Sequence, residues 1–181
     1  MSYVTIHLLT EQRNEKVLIR PTRRTHLLHR GLMGLQVPGK EAITPSSPYG
    51  THRRTNAMRV PAAFASRLYT FFERHTARYV KGYDCNSFAR FMMGWDSESR
   101  SRPTAFYGSV VRINDIQSFE PYVLASNNRN APPMHAVIGL KDGLSISVFG
   151  IDSVIMIARN VDLFEVYAAD RWIHATSCMC E

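Results

Sequence analysis

Cysteine is scarce in this chain: there are three in 181 residues, Cys85, Cys178 and Cys180. An odd, small count excludes a disulfide framework. Long apolar runs are also missing, and none approaches the ~20 residues that a membrane-spanning helix needs. The segment Met1–Leu9 has no basic stretch followed by an apolar one, so no secretory signal is expected. The expected location is the cytoplasm as synthesised, with any export following a route independent of a signal peptide. Acidic residues are the minority charge, 15 against 22 Lys and Arg, which leaves a formal net charge of +7. That balance favours an anionic partner such as an anionic polymer. Charged residues are only 20% of the chain and hydrophobic residues 45%, a composition that supports one core and excludes disorder.

No internal repeat is present. Residues 1–20 hold two short β-like runs, Val4–Leu9 and Val17–Arg20. Residues 21–60 are rich in Arg, Thr, Pro, Gly and Ser, with turn chemistry from Pro38-Gly39 to Pro48-Tyr49-Gly50. They read as a long loop or an arm lying on the domain. Pro61 suits a first helical position, and Phe64, Leu68, Phe71, Phe72 and Tyr79 follow at helical spacing, with Arg67, Arg74 and Arg78 opposite. Asp84 can cap a second helix whose apolar stripe is Phe88, Phe91, Met92 and Trp95. Helical spacing assigns the aromatic residues Phe64, Phe71, Phe72, Phe88 and Phe91 to the core. Strands are expected at Ala105–Ile113, Met134–Leu140, Leu144–Phe149, Val154–Ala158 and Arg171–Thr176. A helix capped by Asn160 carries Leu163, Phe164, Val166 and Tyr167. Helices first and antiparallel strands afterwards imply an α+β chain.

The residues with chemical potential are Cys85 and His135. Cys85 falls at the start of the second helix, where backbone N–H groups and the helix dipole favour a thiolate and can face an oxyanion. His135 begins a strand reading His-Ala-Val-Ile-Gly-Leu, and a thiol nucleophile needs such a base beside it. A buried structural role for either residue is the plainer alternative.

Asp84-Cys85-Asn86-Ser87-Phe88-Ala89 resembles the Asp-Cys-Ser-Gly-Phe-Val box of NlpC/P60 proteins. His135-Ala136-Val137-Ile138-Gly139-Leu140-Lys141-Asp142-Gly143 resembles their His-Val-Gly-Ile-Tyr-Leu-Gly-Asn-Gly strand and turn. The resemblance covers residues 61–158. It implies a papain-like NlpC/P60 core, with N-terminal helices packed on an antiparallel sheet. Residues 1–60 would then be basic strands and an arm on that core, and 61–181 the catalytic core of a single domain. It further implies a cysteine hydrolase that cuts amide bonds, a peptidoglycan peptidase or amidase or an antibacterial effector toxin, with peptide-like substrates. Cys85 would attack and His135 would act as base. The family's third, imidazole-orienting position falls at Ser147, with Asp152 the alternative. Serine accepts a hydrogen bond but cannot offset an imidazolium charge. Ser87 replaces the family's glycine and would narrow the space above the thiol. Alternatives are a non-enzymatic binding module on the same fold, and a thiol acyltransferase or deamidase acting on protein or lipid.

His174, Cys178, Cys180 and Glu181 invite a zinc reading, but Cys-x-Cys is a poor match to structural zinc spacing, so neither metal nor cofactor is expected. The segments Thr22–Arg30 and Thr51–Arg54 are rich in Arg and His. They carry no signature of a nucleic-acid-binding fold, and specific nucleic-acid binding is not expected.

Overall fold

The computed structural model describes residues 1–19, 23–44, 53–77, 82–128, 131–151 and 153–180. Among these, nine strands form one antiparallel sheet. They are β1 (Tyr3–Ile19), β2 (Arg23–Gln36), β3 (Arg53–Pro61), β4 (Thr104–Val111), β5 (Pro121–Ala125), β6 (His135–Gly139), β7 (Leu144–Val148), β8 (Ile155–Arg159) and β9 (Arg171–Cys180). Across the sheet the order is β3-β1-β2-β8-β7-β6-β5-β9-β4. The helices are α1 (Ala62–Phe72), α2 (Cys85–Met93) and α3 (Asn160–Val166), and a π-helical turn, Glu73–Ala77, extends α1.

This architecture overturns the expected α+β papain-like NlpC/P60 core with N-terminal helices on a sheet. Strand accounts for 45% of the chain and helix for 22%. Strands β1, β2 and β3 belong to the sheet itself. β1 pairs with β2 from His7↔Gln36 to Ile19↔Arg23, and with β3 from Tyr3↔Pro61 to Glu11↔Arg53.

These strands escape a reading by hydrophobic pattern for identifiable reasons. The buried set of β2 includes His29 and Gly31 beside Leu27, Leu32 and Leu35, and a bulge at Leu9/Thr10 breaks its alternation. β3 lies at the sheet edge, where Val60 and Pro61 are buried and 54–59 are exposed or half-buried, and edge strands tolerate Arg and Pro. β5, wholly buried, was absent from the expected strands because it is short and begins with Pro121. Pro48-Tyr49-Gly50, Arg78 and Tyr79 lie outside the described residues.

The central strands are covered on both faces, and residue parity shows how. Ala136, Ile138, Ile146, Val148, Val123 and Ile155 point toward α1 and α2, joining Phe64, Leu68, Phe71, Phe88 and Met92 in one cluster. Val137, Tyr122, Leu124 and Met156 point the other way, against Leu163 and Val166 of α3, Leu27 and Trp172. The aromatic stripe assigned to the core is buried as expected: Phe71 packs edge-on against Phe88 with ring centroids 5.0 Å apart. No helix among the described residues is long and apolar enough to cross a membrane.

Candidate active site

Helix α2 begins at Cys85 because Asp84 stops the chain there. The Asp84 carboxylate accepts from the Ser87 N–H at 2.8 Å, and Ser87 Oγ accepts from the Asp84 N–H at 2.8 Å. This reciprocal capping box fixes the first turn. Ser87 is therefore fully buried in the cap. At the other end Gly94 adopts the left-handed conformation and closes the helix.

A buried arginine ties this helix to the loop that follows it. Arg90 is 0% exposed. Its guanidinium donates to the Arg100 carbonyl at 2.6 Å, to the Arg102 carbonyl at 3.4 Å and to the Thr104 hydroxyl, with Nε 3.5 Å from Asp96. The same loop reaches back to the cap, where Ser101 Oγ donates to the Asp84 carboxylate and the Ser101 N–H to the Gly82 carbonyl at 2.6 Å.

Two of the expected site residues meet. His135 Nε2 and Ser147 Oγ are 2.8 Å apart in a hydrogen bond between adjacent strands. Cys85 is half-buried, and the backbone N–H of Ala136, the residue next to His135, pulls its pKa down. Asp152, the alternative third residue, lies outside the described residues.

Parity places the thiol and the imidazole on opposite faces of the sheet. Cys85 packs with the α1–α2 cluster, whereas His135 shares the parity of Val137 and faces α3. The ladder between β6 and β7 holds only Ile138↔Ile146 and Gly139↔Ser145. Beyond those pairs His135 reaches Ser147 through its side chain.

A fourth residue completes the site, one that the sequence reading assigned to a helix stripe. Tyr167, at the C-terminal cap of α3, lays its ring on His135 with centroids 4.4 Å apart and planes 12° from parallel. Phe149 packs edge-on against Tyr167 at 6.2 Å. The order of the chain carries no signal for this stack, since Tyr167 is 32 residues beyond His135.

The electrostatics reverse one expectation. Burial pushes the Cys85 thiol up to about 11. The N–H of Ala136 pulls it down, the Asp84 carboxylate raises it, and the N–H groups of Asn86 and Cys85 itself pull it down again. Helix-start donors do face the sulfur as expected, but burial outweighs them, so the resting group is a thiol. Burial alone pushes His135 down to about 3, so the imidazole is neutral. Burial, and then the charge on Cys85, raises the Tyr167 phenol. Among the described residues no hydrogen bond joins the sulfur to the imidazole; the thiol's partner is Asn86 Oδ1 at 3.7 Å.

Alkylation tests this state. At pH 7–8 Cys85 should hold roughly a hundredth of the thiolate of an ordinary cysteine. Its reaction with iodoacetamide, followed by peptide mass spectrometry, should climb about tenfold per pH unit up to pH 10. A rate that levels off below pH 9 would show an exposed, unperturbed thiol.

Of the proposed metal residues, His174 instead contacts Glu120 at 3.4 Å and stacks on Tyr122 at 5.1 Å. No group of three or more His, Cys, Asp or Glu able to hold a metal ion occurs among the described residues. No family model, curated protein or solved structure matches the chain.

Proposed function

We propose that the chain is a cysteine hydrolase that cleaves amide bonds, with Cys85 as nucleophile, His135 as base and Ser147 as the orienting partner. The His135–Ser147 hydrogen bond carries this reading. When Ser147 Oγ accepts from Nε2–H, the lone pair on Nδ1 is the free base. The neutral pair then acts in concert: Nδ1 takes the thiol proton as the sulfur attacks the carbonyl carbon. The carbonyl π electrons move onto oxygen as the C–S bond forms, and the backbone N–H groups at the start of the helix can face that oxyanion. The imidazolium returns its proton to the departing amine, and water hydrolyses the thioester in a second step. Peptide stems of cell-wall type are the substrate class that the two sequence motifs suggest.

The test is cleavage of a peptide library that includes cell-wall stem peptides, read by mass spectrometry. Wild-type protein should release new amines, and Cys85→Ala and His135→Ala should not, while keeping wild-type circular dichroism. Equal cleavage by Cys85→Ala would sink the proposal.

A second reading has one observation in its favour. The thiol and imidazole rest unlinked and uncharged, as they would in a binding module without catalysis. That reading expects no cleavage and unchanged biological activity in Cys85→Ala.

A further inference from the structure

Far from Cys85, at the opposite end of β6 from His135, the molecule has a hollow of about 310 Å³ lined by Tyr3, Arg59, Ser118, Phe119 and Lys141. Four separate stretches of chain converge there, from β1, β3, the loop before β5 and the turn after β6. Two of the five lining residues are cations and none is an acid. Among the described residues neither Arg59 nor Lys141 has a carboxylate within ion-pair distance. The nearest acid in sequence to Phe119, Glu120, is engaged by His174 instead.

The hollow is built on fixed parts. The Arg59 guanidinium sits over the Tyr3 ring, 5.3 Å from its centroid, which holds a long side chain in place. Phe119 takes a left-handed backbone, φ 67°, that a bulky residue rarely adopts. Its N–H donates to the Gly139 carbonyl at 2.7 Å, the Gly139 N–H donates to the Glu120 carbonyl at 2.9 Å, and its ring packs on Phe64 at 5.1 Å. A Cβ on Gly139 would lie 2.3 Å from the Gln117 carbonyl, so the loop is pressed against the end of β6.

Two like charges facing one concave space repel each other, and an anion relieves that repulsion. We propose that this hollow binds a dianionic phosphate group between the Arg59 guanidinium and the Lys141 ammonium, with the Ser118 hydroxyl as a further donor. Arginine supplies a fork matched to phosphate oxygens, and lysine a second point charge. The site is independent of the thiol chemistry.

Titration of the full chain with sodium phosphate at constant ionic strength tests the site, followed by calorimetry, with chloride and acetate in parallel. Phosphate should bind saturably, and chloride and acetate should not. Arg59→Gln and Lys141→Gln should each weaken phosphate by about tenfold, as loss of one charge-assisted bond implies. The double variant should abolish binding while keeping the wild-type circular dichroism. Lys141 lies in an exposed turn, so its variant reads the site even if Arg59→Gln disturbs β3. Binding of acetate as tight as phosphate, or variants that titrate like wild type, would overturn the proposal.

Discussion

Replacing Arg90 with methionine is expected to cost about 4 kcal/mol of stability, the scale seen when one partner of a buried charged network is removed. Methionine keeps most of the buried stem and removes only the guanidinium. The Arg100 carbonyl and the Thr104 hydroxyl then lose their donor inside the protein, whereas the Arg102 carbonyl still accepts from the Thr104 hydroxyl at 2.9 Å. Asp96 is spared the worst, because Arg102 still donates to it at 2.8 Å. The thermal midpoint should fall by on the order of 10 °C for a chain of this length. Arg90→Lys, with one compact cation in place of a fork, should lie between the two. Urea unfolding followed by circular dichroism checks both variants. A loss below about 1 kcal/mol would mean that the 96–104 loop holds itself in place. The loop also presents Ser101 to the Asp84 carboxylate, so its release should loosen the cap that places Cys85.

Acid should destabilise the protein through His135. In the unfolded chain this imidazole takes up a proton near pH 6.5, and in the folded chain burial delays uptake to about 3. Between those values the unfolded state holds more protons, so stability falls as pH falls, by about 1.4 kcal/mol per unit. From pH 6.5 to 4.5 the loss from this one residue is about 2 kcal/mol, because the unfolded imidazole is already half protonated at the upper value. His135→Asn keeps a polar partner for Ser147 and cannot titrate. Urea unfolding of both proteins at the two pH values cancels the contribution of every other acid and base. Wild type should lose about 2 kcal/mol more than the variant. Equal losses would show that solvent reaches the imidazole.

The sequence disclosed the parts of this molecule that are periodic or locally capped. Asp84 and Gly94 bracket α2, and the β-prone runs Met134–Leu140 and Leu144–Phe149 mark β6 and β7 to within a residue or two. The link from His135 to Ser147 was legible because a hairpin turn fixes register, so counting through Asp142-Gly143 reaches the right strand. What was hidden depends on distant chain. Arg53, Arg54 and Arg59 look like a solvated arm until β1 supplies a partner. Tyr167 looks like one more apolar helical residue until α3 folds over β6. The depth of Cys85 could not be read from its helix-start position, and depth decided its protonation.

The two rims of the sheet differ in kind. β3 ends the sheet in arginines and in Pro61, which has no N–H to offer a newcomer. β4 ends it with Tyr107 and Val110 turned to solvent, 50% and 63% exposed. Growth of the sheet by a foreign strand, whether from a misfolded sibling or from a designed peptide, has one permissive direction, and it starts at β4.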